Sequence, residues 1–139
     1  MTQPASIRLQ RGFNLLELMI TVAIVAILAS IAYSSYQNQI VTSRRAAGAA
    51  CLQERAHFME RFYTTNLTYT GAVISQCDNE IAPHYQVGVV IGANGRTFTL
   101  SAVPQAMQAT RDTLCGTLTL NERGTRGEGG TAASANDCW

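Results

Sequence analysis

From Phe13 to Ala32 the chain is apolar almost without a break, 20 residues in which Glu17 is the one charge. That is about the length a helix needs to cross the hydrocarbon core of a bilayer. From Tyr33 to Thr64 the pattern changes to helical spacing. Ala47, Cys51, Phe58 and Phe62 recur on one flank with Ala50 and Arg55 adjoining, while Glu54, Glu60 and Arg61 lie elsewhere. No proline interrupts the run and Gly48 is its one glycine. A single helix is therefore predicted from Phe13 to about Tyr63, roughly 75 Å long at 1.5 Å per residue. Its first half is expected in a membrane and its second half behind a globular head, with Thr64-Thr65-Asn66 ending the pattern.

Leu67 to Pro83 has no period and reads as a connecting loop, tethered by Cys77. Alternation then begins. Tyr85, Val87, Val89 and Ile91 share one face of a strand over 84–91, and Gly92-Ala93-Asn94-Gly95 follows as turn chemistry, Asn94-Gly95 being a hairpin signal. A second strand over 96–103 places Phe98, Leu100 and Ala102 together and is ended by Pro104. Residues 105–112 read as a polar connection. A third strand over 113–120 places Leu114, Leu118 and Leu120 on one face. Three antiparallel strands with one apolar face need a cover, and the helix flank with Phe58 and Phe62 supplies it. Asn121 to Trp139, rich in glycine, threonine and alanine, has no period.

The chain has 139 residues, enough for one domain. Every basic residue is an arginine. Four cysteines in a small chain that carries a membrane signal point to two disulfides formed outside the cytoplasm. Four cysteines allow three connectivities. The pairing expected is Cys51–Cys77, stapling helix to loop, with Cys115–Cys138, stapling the last strand to the tail. The second closes a loop of 22 intervening residues, worth about 3 kcal/mol in a chain-entropy model.

A carboxylate inside a membrane helix costs on the order of 2.5–3.5 kcal/mol near the centre and less near an end. Glu17 therefore asks for a partner. Cutting the chain between Gly12 and Phe13 supplies one, a free ammonium on Phe13 one helical turn away. The string Gly12-Phe13-Asn14-Leu15-Leu16-Glu17, preceded by a short basic leader and followed by the apolar run, resembles the class III leader junction of type IV pilins and the related pseudopilins. Arg111 to Asn121 together with Asn136-Asp137-Cys138-Trp139 resembles the C-terminal region of PilE-like minor pilins, in which the last two cysteines bound a variable region. An ordinary secretory signal cut near Ala29-Ser30-Ile31-Ala32, or a plain single-pass anchor, leaves Gly12 and Glu17 together unexplained.

The resemblance implies an α+β fold, a long N-terminal helix packed on a small antiparallel sheet with a disulfide-closed C-terminal region. It divides the chain into a leader (1–12), a transmembrane and filament-core segment (13–34) and a periplasmic head (35–139). It implies cleavage after Gly12 by a prepilin peptidase, methylation of Phe13, and a Glu17 that guides assembly. The partners it implies are other pilin subunits, the inner membrane, the peptidase and the pilus assembly machinery. The function it implies is that of a minor pilin, waiting in the inner membrane and then joining an extracellular fibre that supports pilus biogenesis and twitching motility. The family's usual proline, where Ser34 stands, and its frequent glycine near Ala26 are both missing. Within the class, a pseudopilin of type II secretion is the alternative, and the cysteine-closed tail favours the pilus.

Other chemistry has little support. Removing residues 1–12 takes away Arg8 and Arg11 and no acid, leaving eight arginines against nine acids. That balance gives no electrostatic case for nucleic acid as the main partner. A head that binds DNA or a surface remains a second hypothesis, with Arg123 and Arg126 flanked by Glu122 and Glu128. His57 and His84 read as edge histidines. No metal-ligand spacing, phosphate loop or nucleophile elbow is present, so no catalytic residue, metal or cofactor is expected.

Overall fold

The computed structural model describes residues 14–139. It divides into two compact units, one reaching to Gln37 and the other Asn38–Trp139. Helix α1, Leu15–Asn66, is continuous over 52 residues. Asn14 sits at its start, its carbonyl accepting from the Leu18 amide and its side chain from the Leu16 amide, and asparagine is favoured in that place.

The second unit is an α+β arrangement. Strands β1 (Tyr85–Ile91), β2 (Phe98–Pro104), β3 (Leu118–Asn121) and β4 (Arg126–Gly127) form one antiparallel sheet in that order. Tyr85 pairs with Pro104 and Ile91 with Phe98, Leu100 with Leu120, and Leu120 with Arg126. The alternating residues Tyr85, Val87, Phe98, Leu100, Ala102, Leu118 and Leu120 are buried and join Ala49, Leu52 and Met59 of α1 in one core. Tyr69 closes it at one end, its ring 4.7 Å from that of Tyr63 and 4.9 Å from that of Phe98.

The details differ from the sequence pattern in four places. The buried stripe of α1 runs through Gly48, Leu52 and Met59, and Phe58 and Phe62 pack on its edge, their rings 6.5 Å apart. Gly48 is central because a Cβ there would lie 3.1 Å from the Tyr85 ring, so any larger residue would press on that ring. The β1–β2 connection spans 92–97, and the turn read at Gly92-Ala93-Asn94-Gly95 forms, the Gly95 amide donating to the Gly92 carbonyl at 2.8 Å. The Gly95 carbonyl is also the anchor for the segment after α1, accepting from the Tyr69 amide at 2.7 Å.

Residues 105–112 contain a short helix, α2 (Ala106–Arg111), whose inner face is polar and so gave no hydrophobic period. The third strand is only Leu118–Asn121. Residues 113–116 turn, because Gly116 has φ +56° and the Leu114 carbonyl accepts from the amides of Thr131 and Ala132 in the tail. Leu114 is thereby half exposed. The tail itself adds β4 and a 3-10 turn at Ala135–Asp137.

Candidate functional site

In the first unit, the large apolar side chains from Leu15 to Ile31 are between 51% and 73% exposed. Among the described residues α1 is the one helix long and apolar enough to cross a membrane. The hydroxyls of Thr21 and Ser30 donate to the carbonyls of Leu18 (2.9 Å) and Ile27 (2.7 Å). Each hydroxyl is thus satisfied inside its own helix, which an apolar environment requires. Ala23, Ala26 and Ser30, with Ala29 beside them, are small residues that let helices approach closely in lipid. Glu17 stands in the first turn of α1 and is exposed, where the helix dipole favours a negative charge. Gly12 and Phe13 lie outside the described residues.

In the second unit, a buried polar cluster ties α2 to α1 and β1. Asp112 Oδ1 accepts from Arg45 Nη1 at 2.6 Å, and its Oδ2 accepts from the Tyr85 hydroxyl at 2.9 Å. Gln108 Nε2 donates to the Val41 carbonyl at 3.1 Å and reaches the Tyr85 oxygen at 3.0 Å. Gln108 and Asp112 are each 1% exposed. An ion pair this deep holds because further hydrogen bonds satisfy the carboxylate. Burial pushes the Tyr85 hydroxyl well above its ordinary range; the Gln108 hydrogen bond opposes this and the Asp112 charge adds to it. Sequence reading missed Gln108 and Asp112. Their one local signal is the four-residue spacing that puts them on one helical face.

Two disulfides hold the loops. Cys51 on α1 is joined to Cys77, and Cys115 to Cys138. Nearby, Gln76 lays its side-chain amide along the edge of β1, donating to the Val87 carbonyl at 2.8 Å and accepting from the Val87 amide at 2.9 Å. That blunts an open sheet edge. At the end of the tail the Arg126 guanidinium stacks 5.3 Å over the Trp139 ring, and Trp139 Nε1 donates to the Gly127 carbonyl. Arg123 and Glu122 are paired at 3.5 Å.

The histidines are not brought together with other ligands. His57 is exposed on α1. His84 lies just before β1, its pKa held below the ordinary value by burial and by the charge of Arg44. Among the described residues no group of three His, Cys, Asp or Glu side chains is placed to hold a metal. Tyr69, which donates to Glu60 at 2.9 Å, has its pKa pushed up to about 12, first by burial and then by that bond and its charge.

Residues 34–119 match the family described as "Type IV minor pilin ComP, DNA uptake sequence receptor", and residues 7–33 match the prokaryotic N-terminal methylation motif. The chain belongs to this type IV pilin family. The pilin's second unit carries the family match and its apolar stretch carries the methylation motif, as the class III leader junction requires. It is similar to the type IV major fimbrial protein FimA of Dichelobacter nodosus, 61% identical over 36 residues, which are 26% of this chain. The match spans 23% of FimA's length. A solved type IV pilin from Shewanella oneidensis is similar over 71% of this chain and 97% of its own, with a TM-score of 0.56 and 28% identity. The fold is thus a type IV pilin fold.

Proposed function

We propose that the chain is a minor pilin, cut after Gly12 by a prepilin peptidase, methylated on Phe13 and assembled into a type IV pilus from the inner membrane. The observation that carries this reading is the junction of two matches on one chain, the methylation motif over 7–33 and the minor-pilin head over 34–119. Before assembly the helix lies in lipid with the head (35–139) in the periplasm. In the fibre, neighbouring helices replace lipid around the same side chains, since water around them is disfavoured. The Phe13 ammonium of one subunit and Glu17 of the next then set the axial register. The role is structural, with no turnover assigned.

Its test is the fibre. Glu17→Ala should leave the chain in the inner membrane and absent from sheared pili, with surface piliation and twitching reduced. Normal incorporation of Glu17→Ala into fibres would contradict the assembly role. Copy number in sheared fibres distinguishes a minor from a major subunit, a few per fibre being expected.

A second reading follows from the printed description of the matched family, a DNA uptake sequence receptor. The match stops at residue 119, so the loop closed by Cys115–Cys138 lies almost wholly outside it. Exposed arginines at Arg96, Arg123 and Arg126 offer phosphate contacts, against a mature chain with one more acid than arginine. Gel shifts across salt concentrations decide it: phosphate-driven binding weakens steeply with salt, and no shift even at low salt excludes this reading.

A further inference from the structure

Strand β1 forms one border of the sheet, with β2 on its other side. In an antiparallel pair the backbone groups of successive residues point alternately toward the neighbouring strand and away from it. The His84 carbonyl accepts from the Gln105 amide, and the Gly92 amide donates to the Thr97 carbonyl. The even positions of this stretch therefore face β2. Val87, Val89 and Ile91 turn their N–H and C=O groups outward, to the border. Those of Val87 are taken by the Gln76 side chain, whose amide copies the two bonds a further strand would make. Among the described residues no hydrogen bond reaches Val89 or Ile91 from outside the sheet.

Segment 67–77 is pinned at both ends of this border. At one end the Gly95 carbonyl accepts from the Tyr69 amide and from the Thr68 hydroxyl. At the other, Gln76 holds Val87, Arg55 donates to the Ser75 hydroxyl at 2.9 Å, and Cys77 is joined to Cys51. Between the pins the Ala72 amide turns back onto the Tyr69 carbonyl. The segment is thus a strap fastened beside β1 and not a strand paired with it.

The strand behind the strap suits a copy of itself. Gln86 to Ile91 reads QVGVVI, with no charge and no proline. Exposed segments of that composition pair readily with one another, and sheet borders commonly carry charges that prevent it. Here no charge does so. Antiparallel pairing about Val89 sets Val87 of one copy opposite Ile91 of the other, and Val89 opposite Val89. Each outward N–H then meets a C=O, and no charge is brought out of water. On the outer face Val90, 72% exposed, comes to lie opposite Gly88 of the other copy.

We propose that the outer border of β1 is a self-pairing surface, through which two copies join by Val87, Val89 and Ile91, and that segment 67–77 holds it shut. Gln76 is the plug and the Cys51–Cys77 bridge is the latch. A chain whose bridge has not formed offers the border to a second copy, and closing the bridge withdraws it.

The experiment follows amide exchange at Val87, Val89 and Ile91 by NMR in the full chain in detergent micelles, at one chain per micelle and at several, with β2 as the reference for folding. In the unaltered chain exchange should not depend on the number of chains. In Gln76→Ala, Val87 should lose its protection at one chain per micelle, and all three amides should slow together by about tenfold or more at several. Cys51→Ser combined with Cys77→Ser should behave in the same way. Val89→Pro added to Gln76→Ala should abolish the slowing, since proline is tolerated where a border N–H points outward but cannot pair there. Exchange that ignores the number of chains in Gln76→Ala overturns the proposal. So does slowing that survives Val89→Pro, which assigns it to another contact, or equal slowing in the unaltered chain, which shows that the strap shuts nothing. Protection of Val87 that persists without the bridge refutes the latch.

Discussion

The two halves of α1 are one helix made for two solvents. Between Leu15 and Ile31 its large side chains are exposed on every side. Between Asn38 and Asn66 a single stripe through Gly48, Leu52 and Met59 is buried, and Glu54, Glu60 and Arg61 face water. A helix apolar all round is stable only where its surroundings are apolar too, while a one-sided helix carries its own core. The second half is therefore satisfied by its own chain, whereas the first half depends on lipid or on neighbouring pilin helices. Binding is built into that half as a need.

If that contrast holds, substitutions in the second half unfold the head and substitutions in the first half leave it folded. The largest effect is expected for Asp112→Ala, which strands Arg45 in a buried position and should cost about 3–5 kcal/mol of head stability. Thermal or denaturant melts of the chain in detergent measure it. A loss below about 1 kcal/mol would place the ion pair in water. Next comes a matched pair. Leu52→Ala opens a cavity in the core and should cost about 2–5 kcal/mol. Ile24→Ala should leave the head transition unchanged within about 0.5 kcal/mol, while weakening retention in membranes or fibres.

Gly48→Ala sharpens the contrast within the head. Alanine favours the helix by about 1 kcal/mol, yet its Cβ would meet the Tyr85 ring at 3.1 Å. That ring is fully buried and held through its hydroxyl, so it has little room to yield. Overpacking of this kind costs about 1–3 kcal/mol, and the net expectation is a loss of about 1 kcal/mol. The smallest effect is alkaline. Tyr69 has its folded pKa raised from 10.0 to about 12. The unfolded chain therefore loses that proton first, and the stability it contributes is whole below pH 10 and falls as pH rises from 10 to 12. Tyr85 acts in the same sense. Melts of Tyr69→Phe should show a shallower decline over that window.

The features legible in the sequence were those written in local periods. The apolar run, the helix behind it and the alternation of Tyr85 to Ile91 and Phe98 to Val103 all repeat at the spacing of their own element. What the sequence concealed depends on distant partners. Helix α2 looked like a polar connection because its inner face is Gln108 and Asp112, whose reason for burial is Val41 and Arg45, 67 residues away. Leu114 sits in phase with Leu118 and Leu120, yet it belongs to a turn, since its carbonyl is taken by the tail. Phe58 and Phe62 were the obvious cover for the sheet by size, but they pack at the edge of the core, while Tyr85 lies against Gly48, where having no side chain is what matters. The methylation motif over 7–33 was legible for the opposite reason, because one acid in a long apolar run has no local explanation.

The central claim is that this helix is made to begin at Phe13, with a charged amine beside Glu17, and to trade lipid for neighbouring helices. Intact-mass and N-terminal peptide mass spectrometry of the chain recovered from sheared fibres tests it most directly. The account predicts a chain that starts at singly methylated Phe13 with both disulfides closed. A chain that still carries residues 1–12, or one cut after Ala32, would contradict it.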